Sequence, residues 1–348
     1  MKKRVLIAVL NWGLGHATRS ERIIREVLSN NGDVYLASSG DALRYLEHRF
    51  PFIPTHNIPD LEVRYNKKSA FPGLIKRGIV QRRINKKQKS WIDAFVVKNG
   101  ITHIISDNVY GAWSAGVPSA LITHQLGLLS PVFKSFINKK LASWINNFNQ
   151  VWVPDIDGND SIAGEMLLNK YVKRKLLFLG NCSRFNLSEN TPKAIDYLAV
   201  LSGVEPQRSA LEEKLLEIFS QLEGKKVLIC GKENRPDGNR LGTEIIGIAR
   251  SDQIENLILQ SRLVICRSGY TSVADLLKLR ENALLVPTPG QPEQIYLAKR
   301  CREKDWFTTA DQKELTTEIF THAIEKNKPK PRANMEWSGS EIITRFLK

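Results

Sequence analysis

The sequence predicts an α/β protein whose two domains are each built on a parallel sheet. Residues 4–10 form an apolar run typical of a strand, and a glycine turn, a helix over residues 17–29 and a strand over residues 33–37 follow. This βαβ order favours a parallel sheet. A second βα unit begins at residues 195–202 and leads through a glycine loop to a helix that starts near Ser209. At 348 residues the chain is long enough for two cores of ordinary size.

Short apolar runs predict further strands in each half of the chain. In the first half they cover residues 101–106, 119–123, 150–153 and 176–180, and in the second half residues 225–230, 263–266 and 283–286. The segment between residues 181 and 192 is typical of a linker. We therefore predict domains over residues 1–182 and 190–334, followed by a short amphipathic helix over residues 338–348 whose apolar stripe needs a surface to cover.

Composition indicates a globular chain with one strongly basic half. There is no run of about eighteen apolar residues, and the apolar run after the first basic residues is too short for a signal peptide. The four cysteines form no C-x-x-C pair, which is typical of a cytosolic protein with reduced thiols. Residues 1–150 contain 22 Lys and Arg against nine Asp and Glu, whereas the rest of the chain carries only +2 of the total charge of +15. The basic half is expected to face an anion, either nucleic acid or an anionic membrane surface.

A strand predicted to end at Cys266 leads directly into a predicted helix. The turn between them contains Arg267, Ser268 and Gly269, and Thr271 or Ser272 is expected near the helix cap. The N–H groups and the dipole of a helix N-terminus favour phosphate, and Arg267 adds a cation beside it. The sequence therefore predicts a phosphate site at this turn.

Three polar residues follow on the same side of the predicted sheet. Asp275 lies in the first turns of the helix, where a carboxylate can accept two hydrogen bonds from the vicinal hydroxyls of a ribose. After the next strand, a loop rich in Pro and Gly ends in Glu293 and Gln294. These side chains are expected beside the same strand ends as the phosphate site.

This order of residues resembles family 28 glycosyltransferases of the MurG type. The matching features are Arg267-Ser268-Gly269, the acid eight residues after the arginine, the pair Glu293-Gln294 and the following Ala298. In that family the helix holds the nucleotide diphosphate, the acid holds the ribose, and the last pair holds the hydroxyls of the donor sugar. The family usually has Glu at the ribose position, and Asp275 has a shorter reach.

The resemblance implies the GT-B fold, with two Rossmann-like βα domains that face each other across a cleft and a C-terminal helix that crosses back to the first domain. It also implies a hexosyltransferase that moves a sugar, with inversion, from a nucleotide donor such as a UDP-sugar to an acceptor hydroxyl. Helix N–H groups then take the place of a bound metal, so no metal ion and no cofactor are expected.

The first glycine turn has its own chemistry. Gly13-Leu14-Gly15 lacks the third glycine of a dinucleotide fingerprint, and the second strand ends in serines rather than in the acid that an NAD ribose requires. A nicotinamide enzyme is therefore the weaker hypothesis. The sequence G-x-G-H resembles the first loop of the same family, which implies that Gly13 and Gly15 let the acceptor approach and that His16 faces the cleft. His16 is the candidate general base, with capping of its own helix as the alternative.

Polar residues also follow two other strands of the first half. Asp107 and Asn108 come after one strand, and His124 and Gln125 after the next. Carboxyl ends of parallel strands face the ligand crevice, so these four residues are candidates for acceptor binding.

The second glycine loop and a D-x-D pattern complete the candidates. Gly203 and Arg208 resemble the second glycine loop of the family, which implies contact with the diphosphate from the other side; a solvent-facing Arg208 is the alternative. Asp155 and Asp157 form a D-x-D in a loop rich in Gly and Asn, and we interpret them as surface turn residues rather than as a metal site.

Two basic stretches carry aromatic residues. Residues 66–98 hold ten cations against the single acid Asp93, and residues 131–149 repeat the pattern with an apolar stripe that is more often core than membrane contact. With a lipid-linked acceptor, the protein is expected to be cytoplasmic and peripheral on the inner face of the cell membrane.

Two other functions stay open at this point. A nucleotide-sugar 2-epimerase shares the fold and eliminates the diphosphate. A non-enzymatic nucleic-acid-binding protein would use the same basic charge, but the cations match no known nucleic-acid motif, so no nucleic acid is expected as a partner.

Overall fold

A computed structural model describes residues 2–60, 72–129, 133–185, 191–203, 205–232, 235–325 and 335–348, and within residues 72–77 only the backbone. The chain divides into two compact units, Met1–Arg184 with Asn334–Lys348, and Phe185–Ala333. Residues 66–71 of the basic stretch, and residues 131 and 132, lie outside the described residues.

The first unit contains a sheet of seven described strands, all parallel, in the order β3-β2-β1-β4-β5-β6-β7. Its elements in chain order are β1 (Arg4–Val9), α1 (Gly15–Ser29), β2 (Asp33–Ser38), α2 (Gly40–Arg49), β3 (Thr55–Asn57), α3 (Pro72–Asn99), β4 (His103–Asp107), β5 (Ser119–Ile122), α4 (Lys134–Ile145), β6 (Gln150–Val153), a 3-10 turn (Gly164–Leu167) and β7 (Leu176–Phe178).

Side chains of β1 point alternately to the two faces of this sheet, and those on both faces are apolar, which explains why helices cover both faces. Val5, Ile7 and Val9 join one apolar cluster with α1, whereas Leu6 and Ala8 join a second cluster with α3. A strand buried on both faces is expected in a doubly covered parallel sheet. The central strand β1 is thereby fixed, and with it the loop that follows it.

The second unit repeats this plan. Its described strands run in the order β10-β11-β9-β8-β12-β13-β14, and only β10 is antiparallel to its neighbour. The elements are β8 (Ile195–Val200), α5 (Gln207–Phe219), β9 (Lys226–Ile229), β10 (Gly238–Arg240), β11 (Thr243–Ile246), α6 (Ser251–Leu259), β12 (Ser261–Cys266), α7 (Tyr270–Leu279), β13 (Ala283–Leu285), α8 (Pro292–Glu303), β14 (Thr308–Thr309), a 3-10 turn (Gln312–Glu314) and α9 (Thr317–Glu325).

The last helix, α10 (Gly339–Phe346), belongs to the first unit. Ile343, Phe346 and Leu347 are buried in the apolar cluster that contains β1, and the Phe346 ring meets Trp152 edge to face at 5.1 Å between ring centroids. The crossover helix inferred from the resemblance is therefore confirmed, and its apolar stripe covers the first sheet.

One local prediction is confirmed and another was wrong. The helix after Cys266 has Gly269 as its N-cap in extended conformation, and Thr271 and Ser272 follow in its first turn, near the cap as predicted. Asp155 is not a surface turn residue, because it is 1% exposed and its carboxylate accepts hydrogen bonds from the backbone N–H groups of Ile156, Ile162 and Ala163. A buried carboxylate of this kind holds its loop together.

Among the described residues, none of the helices combines the length and apolar character needed to cross a lipid bilayer.

Candidate active site

The neighbouring strands β1, β4 and β5 bring three predicted side chains to one edge of the first sheet. His16 lies in the first turn of α1, Asp107 is the last residue of β4, and His124 follows β5. All three side chains are buried, and the rings of the two histidines are stacked with 6.5 Å between centroids. The sequence-predicted residues therefore form one cluster rather than three separate contacts.

Asp107 lies at the centre of this cluster and is completely buried. Its Oδ1 is 2.7 Å from the Nδ1 of His16. Its Oδ2 accepts hydrogen bonds from the Nε of Arg19 at 2.7 Å and from the hydroxyl of Ser20 at 3.0 Å, and the Nη2 of Arg19 donates to Oδ1. The Asp107 carboxylate is thus buried and occupied by neighbouring side chains, and its contact with an acceptor stays a prediction.

The charge of Asp107 is held by these partners. Burial alone would raise the pKa of the carboxyl, but the Arg19 guanidinium, and after it His16, hold that pKa well below its usual range. Asp107 is thus an anion at every pH at which the folded protein would work, and it faces His16.

Arg19 also reaches the second histidine. Its Nη1 lies 2.8 Å from the Nδ1 of His124, and its Nη2 lies 2.9 Å from the Nδ1 of His16. Neither Arg19 nor Ser20 was singled out in the sequence. The available signal was their spacing, because residues three and four positions after His16 share its face of the helix.

The glycine turn before α1 leaves open space beside this cluster. Gly13 has a φ of +64°, which favours glycine, and a Cβ added there would meet no atom within 4 Å. Gly15 is the first residue of α1, and Trp12 and Leu14 beside it are exposed. Asn108 has a φ of +60°, and its buried Oδ1 has no hydrogen-bond partner. The Gln125 side chain is half-buried.

In the second unit, Arg267 contacts neighbouring loops. The side chain is 1% exposed. Its guanidinium donates to the carbonyls of Val286 and Pro287 at 3.3 Å, to the carbonyl of Gln207 at 2.7 Å and to Oε1 of Gln312 at 2.9 Å. Burial lowers the pKa of Arg267 to about 10, so it stays charged at neutral pH. Its guanidinium joins the loops after β8 and β13, and its place beside a diphosphate stays a prediction.

Ser268 and Gln294 are also turned inward. The Ser268 hydroxyl is fully buried and donates to the carbonyl of Gln294 at 2.8 Å. The Oε1 of Gln294 accepts the backbone N–H of Thr288 at 2.8 Å, so only its amide NH₂ end remains for a sugar hydroxyl. Glu293, beside it in the first turn of α8, is half-buried.

The N-terminus of α7 is the open part of this region. Gly269 is the N-cap, no side chain caps the helix, and a Cβ added at Gly269 would meet no atom within 4 Å. Thr271 and Ser272 in the first turn are half-buried. Asp275 is 7% exposed. The pKa of the Cys266 thiol is raised to about 12, first by the burial of Cys266 and then by the negative charge of Asp275 nearby. Backbone N–H groups, rather than the Arg267 side chain, are therefore the groups placed to meet an anion here.

The second glycine loop lies next to these groups. Gly203 has a φ of +97° and open space around its Cα, and Arg208 follows in the first turn of α5. Arg208 donates to the carbonyl of Gly231 at 2.7 Å and to Glu205 at 3.1 Å. Burial would raise the pKa of Glu205, but hydrogen bonds from Ser209 and then Arg208 lower it to about 2. The guanidinium of Arg208 is thus engaged both with Glu205 in its own loop and with Gly231 in the loop after β9.

Residues 199–344 match the family model of the glycosyltransferase family 28 C-terminal domain. A UDP-N-acetylglucosamine–N-acetylmuramyl-(pentapeptide) pyrophosphoryl-undecaprenol N-acetylglucosamine transferase from Geobacillus thermodenitrificans is 24% identical over 98% of this chain and 96% of its own length. An uncharacterised glycosyltransferase from Methanopyrus kandleri is 24% identical over 89% of this chain and 94% of its own length. The chain is a glycosyltransferase similar to family 28.

Solved structures agree with the fold of this glycosyltransferase. The MurG of Acinetobacter baumannii superposes with a TM-score of 0.56 at 14% identity, covering 99% of each chain. The glycosyltransferase SnogD from Streptomyces nogalater gives a TM-score of 0.65 at 12% identity, covering 99% of this chain and 95% of its own. The predicted GT-B fold is therefore confirmed. Because the chain is an enzyme, the non-enzymatic nucleic-acid-binding alternative is not retained.

The predicted site residues of the glycosyltransferase fall into two groups. Those of the first unit surround the cluster of His16, Asp107 and His124, and those of the second unit surround the N-terminus of α7. Their ligands stay predictions.

Proposed function

We propose that this glycosyltransferase transfers a sugar, with inversion, from a UDP-linked donor to an acceptor hydroxyl, with His16 as general base. The observation that carries the proposal is the 2.7 Å contact between Nδ1 of His16 and the buried carboxylate of Asp107. An N–H at Nδ1 makes a charge-assisted hydrogen bond to the carboxylate, whereas a lone pair there would face a negatively charged oxygen. The lone pair of the His16 ring is then on Nε2.

This tautomer suits the reaction. The acceptor oxygen attacks the anomeric carbon from the face opposite the diphosphate and gives its proton to Nε2 of His16, while the bond between the anomeric carbon and the diphosphate oxygen breaks. Attack from the opposite face inverts the anomeric centre. The positive imidazolium that forms is stabilised by Asp107, which is already ionised.

The departing nucleotide diphosphate needs a positive environment. The uncapped N-terminus of α7 at Gly269 supplies backbone N–H groups and the positive end of a helix dipole, with open space above it. We propose that these groups take the part that a metal ion plays in other transferases. Among the described residues, no group of three or more His, Cys, Asp or Glu side chains is placed to hold a metal ion.

The relatives support the choice of donor and acceptor. The Geobacillus protein is named as a transferase that uses UDP-N-acetylglucosamine and an undecaprenol-linked acceptor. By similarity we propose a UDP-sugar as donor and a lipid-linked glycan as acceptor for this chain. Such an acceptor places the enzyme on the inner face of the cell membrane, in the cytoplasm.

An exposed patch of the first unit supports contact with a membrane. We define the α4 patch as Phe133, Phe136 and Leu168, which are 71%, 72% and 69% exposed. The hydroxyls of Ser135 and Tyr171 are hydrogen-bonded at 2.6 Å, which holds the start of α4 beside the segment that carries Leu168. Exposed cations lie along α4 and in the segment after Leu168, namely Lys134, Lys139, Lys140, Lys170, Lys173, Arg174 and Lys175. Aromatic groups among cations are the features that anionic lipid surfaces bind.

The test of the proposed base is His16→Ala. We expect kcat for transfer to fall by roughly 10²- to 10⁴-fold, while the Kd for UDP-sugar, measured by calorimetry, stays within about twofold. His48→Ala, which changes an exposed histidine on α2, is the matched control and should keep full activity. Full activity of His16→Ala would remove its role as base.

Two further measurements on the wild-type protein test the rest of the proposal. Without acceptor, conversion of the UDP-sugar to its 2-epimer would favour the epimerase alternative. With acceptor, loss of transfer on addition of EDTA would contradict metal independence.

The membrane proposal is tested by co-sedimentation with vesicles. We expect the double variant Phe133→Ser/Phe136→Ser to bind phosphatidylglycerol vesicles at least tenfold more weakly than the wild-type protein, because two apolar side chains no longer enter the interface. Phe52→Ser changes a phenylalanine of equal exposure, 72%, and is the control. Equal binding of all three proteins, or no binding of the wild type at low salt, would contradict the proposal.

A further inference from the structure

The guanidinium of Arg19 contacts all three other members of the buried cluster. It donates to both oxygens of Asp107, and its Nη1 lies 2.8 Å from the Nδ1 of His124. The Arg19 side chain is 4% exposed, and His124 is 5% exposed. A buried cation in a fixed position next to two imidazole rings restricts where each ring can carry its proton.

The restriction on His124 follows from the chemistry of arginine. A guanidinium has only N–H donors and no acceptor. At 2.8 Å, the Nδ1 of His124 must therefore accept the hydrogen bond from Nη1, which requires a lone pair on Nδ1. The proton of the neutral ring is then on Nε2. A doubly protonated His124 would direct an N–H at the guanidinium and is disfavoured.

The restriction on His16 is the opposite. The Nδ1 of His16 is 2.7 Å from the Oδ1 of Asp107 and 2.9 Å from the Nη2 of Arg19, and it cannot both donate to the first and accept from the second. The Nη2 group already donates to Oδ1. Donation from His16 to the same anion is the favourable choice, because a lone pair at 2.7 Å from a carboxylate oxygen is repelled.

We propose that Arg19 is a positioning residue that fixes the tautomer of His124 directly and holds the Asp107 carboxylate, which fixes His16 in the opposite tautomer. His16 then carries its lone pair on Nε2, and His124 carries its proton there. Any group that meets Nε2 of His16 must donate a hydrogen bond, and any group that meets Nε2 of His124 must accept one. A hydroxyl group can donate to Nε2 of His16, which fits an acceptor alcohol. This last step depends on the proposed role of His16 as base; the assignment of the tautomers does not.

The tautomers are measurable in the full-length wild-type protein without substrate. The chain has six histidines, so selective ¹⁵N-histidine labelling and long-range ¹H–¹⁵N correlation spectra give six ring patterns. Loss of a pattern in His16→Ala and in His124→Ala assigns the two rings. We expect the proton on Nδ1 in His16 and on Nε2 in His124. The same tautomer in both rings would overturn the proposal.

The variant Arg19→Lys tests whether Arg19 sets these tautomers. Lysine keeps a positive charge beside Asp107 but lacks the planar fork that reaches Asp107 and His124 together. We expect His124 to become a mixture of tautomers and kcat to fall roughly 10- to 100-fold, with the KM for the UDP-sugar within about twofold. Arg25→Lys changes an exposed arginine on the same helix and should alter neither spectrum nor rate.

The outcomes separate the two proposals. Unchanged tautomers in Arg19→Lys would show that Arg19 does not set them, whatever the rate. Opposite tautomers in the wild type, combined with full activity of His16→Ala, would keep the role of Arg19 and remove His16 as the base.

Discussion

The two units place their predicted polar residues after equivalent strands but use them differently. In the first unit, side chains at the ends of β1 and β4 contact one another, so that Asp107 fixes His16 directly. In the second unit, Arg267 and Ser268 after β12 donate to backbone carbonyls instead. One loop region therefore offers a side chain as its reactive group, whereas the other offers the uncapped N-terminus of α7.

This difference shows that a motif can act through the backbone it shapes. Arg267 joins the loops after β8 and β13, and Ser268 joins its turn to α8 through Gln294. Both contacts fix the position of Gly269. We therefore propose that this motif binds its ligand through backbone N–H groups rather than through its own side chains.

The largest loss of stability is expected from a substitution at Asp107, in the first unit. Asp107→Asn leaves Arg19 buried without a counter-ion, and we expect the free energy of unfolding at pH 7 to fall by roughly 3–5 kcal/mol. Urea titration measures it. Because the pKa of Asp107 is lower in the folded protein than the ordinary value of 3.8, ionised Asp107 stabilises the fold above that pH, and this stabilisation is lost as the pH falls below it. The difference in unfolding free energy between wild type and Asp107→Asn should therefore narrow below about pH 4. A gap that is constant from pH 7 to pH 3 would contradict the assigned charge of Asp107.

The next effect concerns Arg267. Arg267→Met leaves the carbonyls of Gln207, Val286 and Pro287 without their donor, and we expect a loss of about 2–4 kcal/mol of unfolding free energy. Arg262→Met changes an arginine of β12, the strand that leads to Arg267, with a side chain 55% exposed; it is the control and should cost less than about 0.5 kcal/mol. Unchanged stability of Arg267→Met together with lost UDP binding would favour the direct diphosphate contact.

The smallest effect is expected at Gly269. Its φ of −72° and ψ of 149° suit alanine, and the added Cβ meets no atom, so Gly269→Ala should cost less than about 1 kcal/mol of stability. If the diphosphate lies on this helix end, the methyl group takes its space, and calorimetry should show UDP bound roughly tenfold more weakly, about 1.4 kcal/mol. Gly116→Ala in the first unit, also in open space, is the control. Equal UDP affinity in both variants would place the nucleotide elsewhere.

Much of the fold could be predicted because its strands are short apolar runs. The strands β1, β6 and β12 lie where the periodicity placed them, and α10 was found from its apolar stripe. The strands β3, β10, β11 and β14 were missed. β3, β10 and β14 are short edge strands, and polar residues such as Asn239 and Arg240 carry no apolar signal. β11 is flanked on both sides but is only four residues long, with two apolar residues. The buried Asp155 was missed since a carboxylate that binds backbone N–H groups has the same sequence pattern as one in a surface turn.

The sequence predicted several residues of the candidate site but not the contacts that they make. His16, Asp107 and His124 could be named from their positions after strands, which is a property of chain order. Arg19 could not be given its role, because the contact joins residues 88 positions apart in the chain.

The sequence alone determined the apolar strands at the centre of the two sheets and which of their loops end beside each other, because apolar periodicity fixes these strands and parallel order fixes their ends. Only the tertiary structure decided which way the polar side chains turn. A buried charge must find its partner, so Asp107 turns to Arg19 and His16, and Arg267 turns to backbone carbonyls. The space left at Gly13 and Gly269 after those pairings is where ligands are proposed to bind.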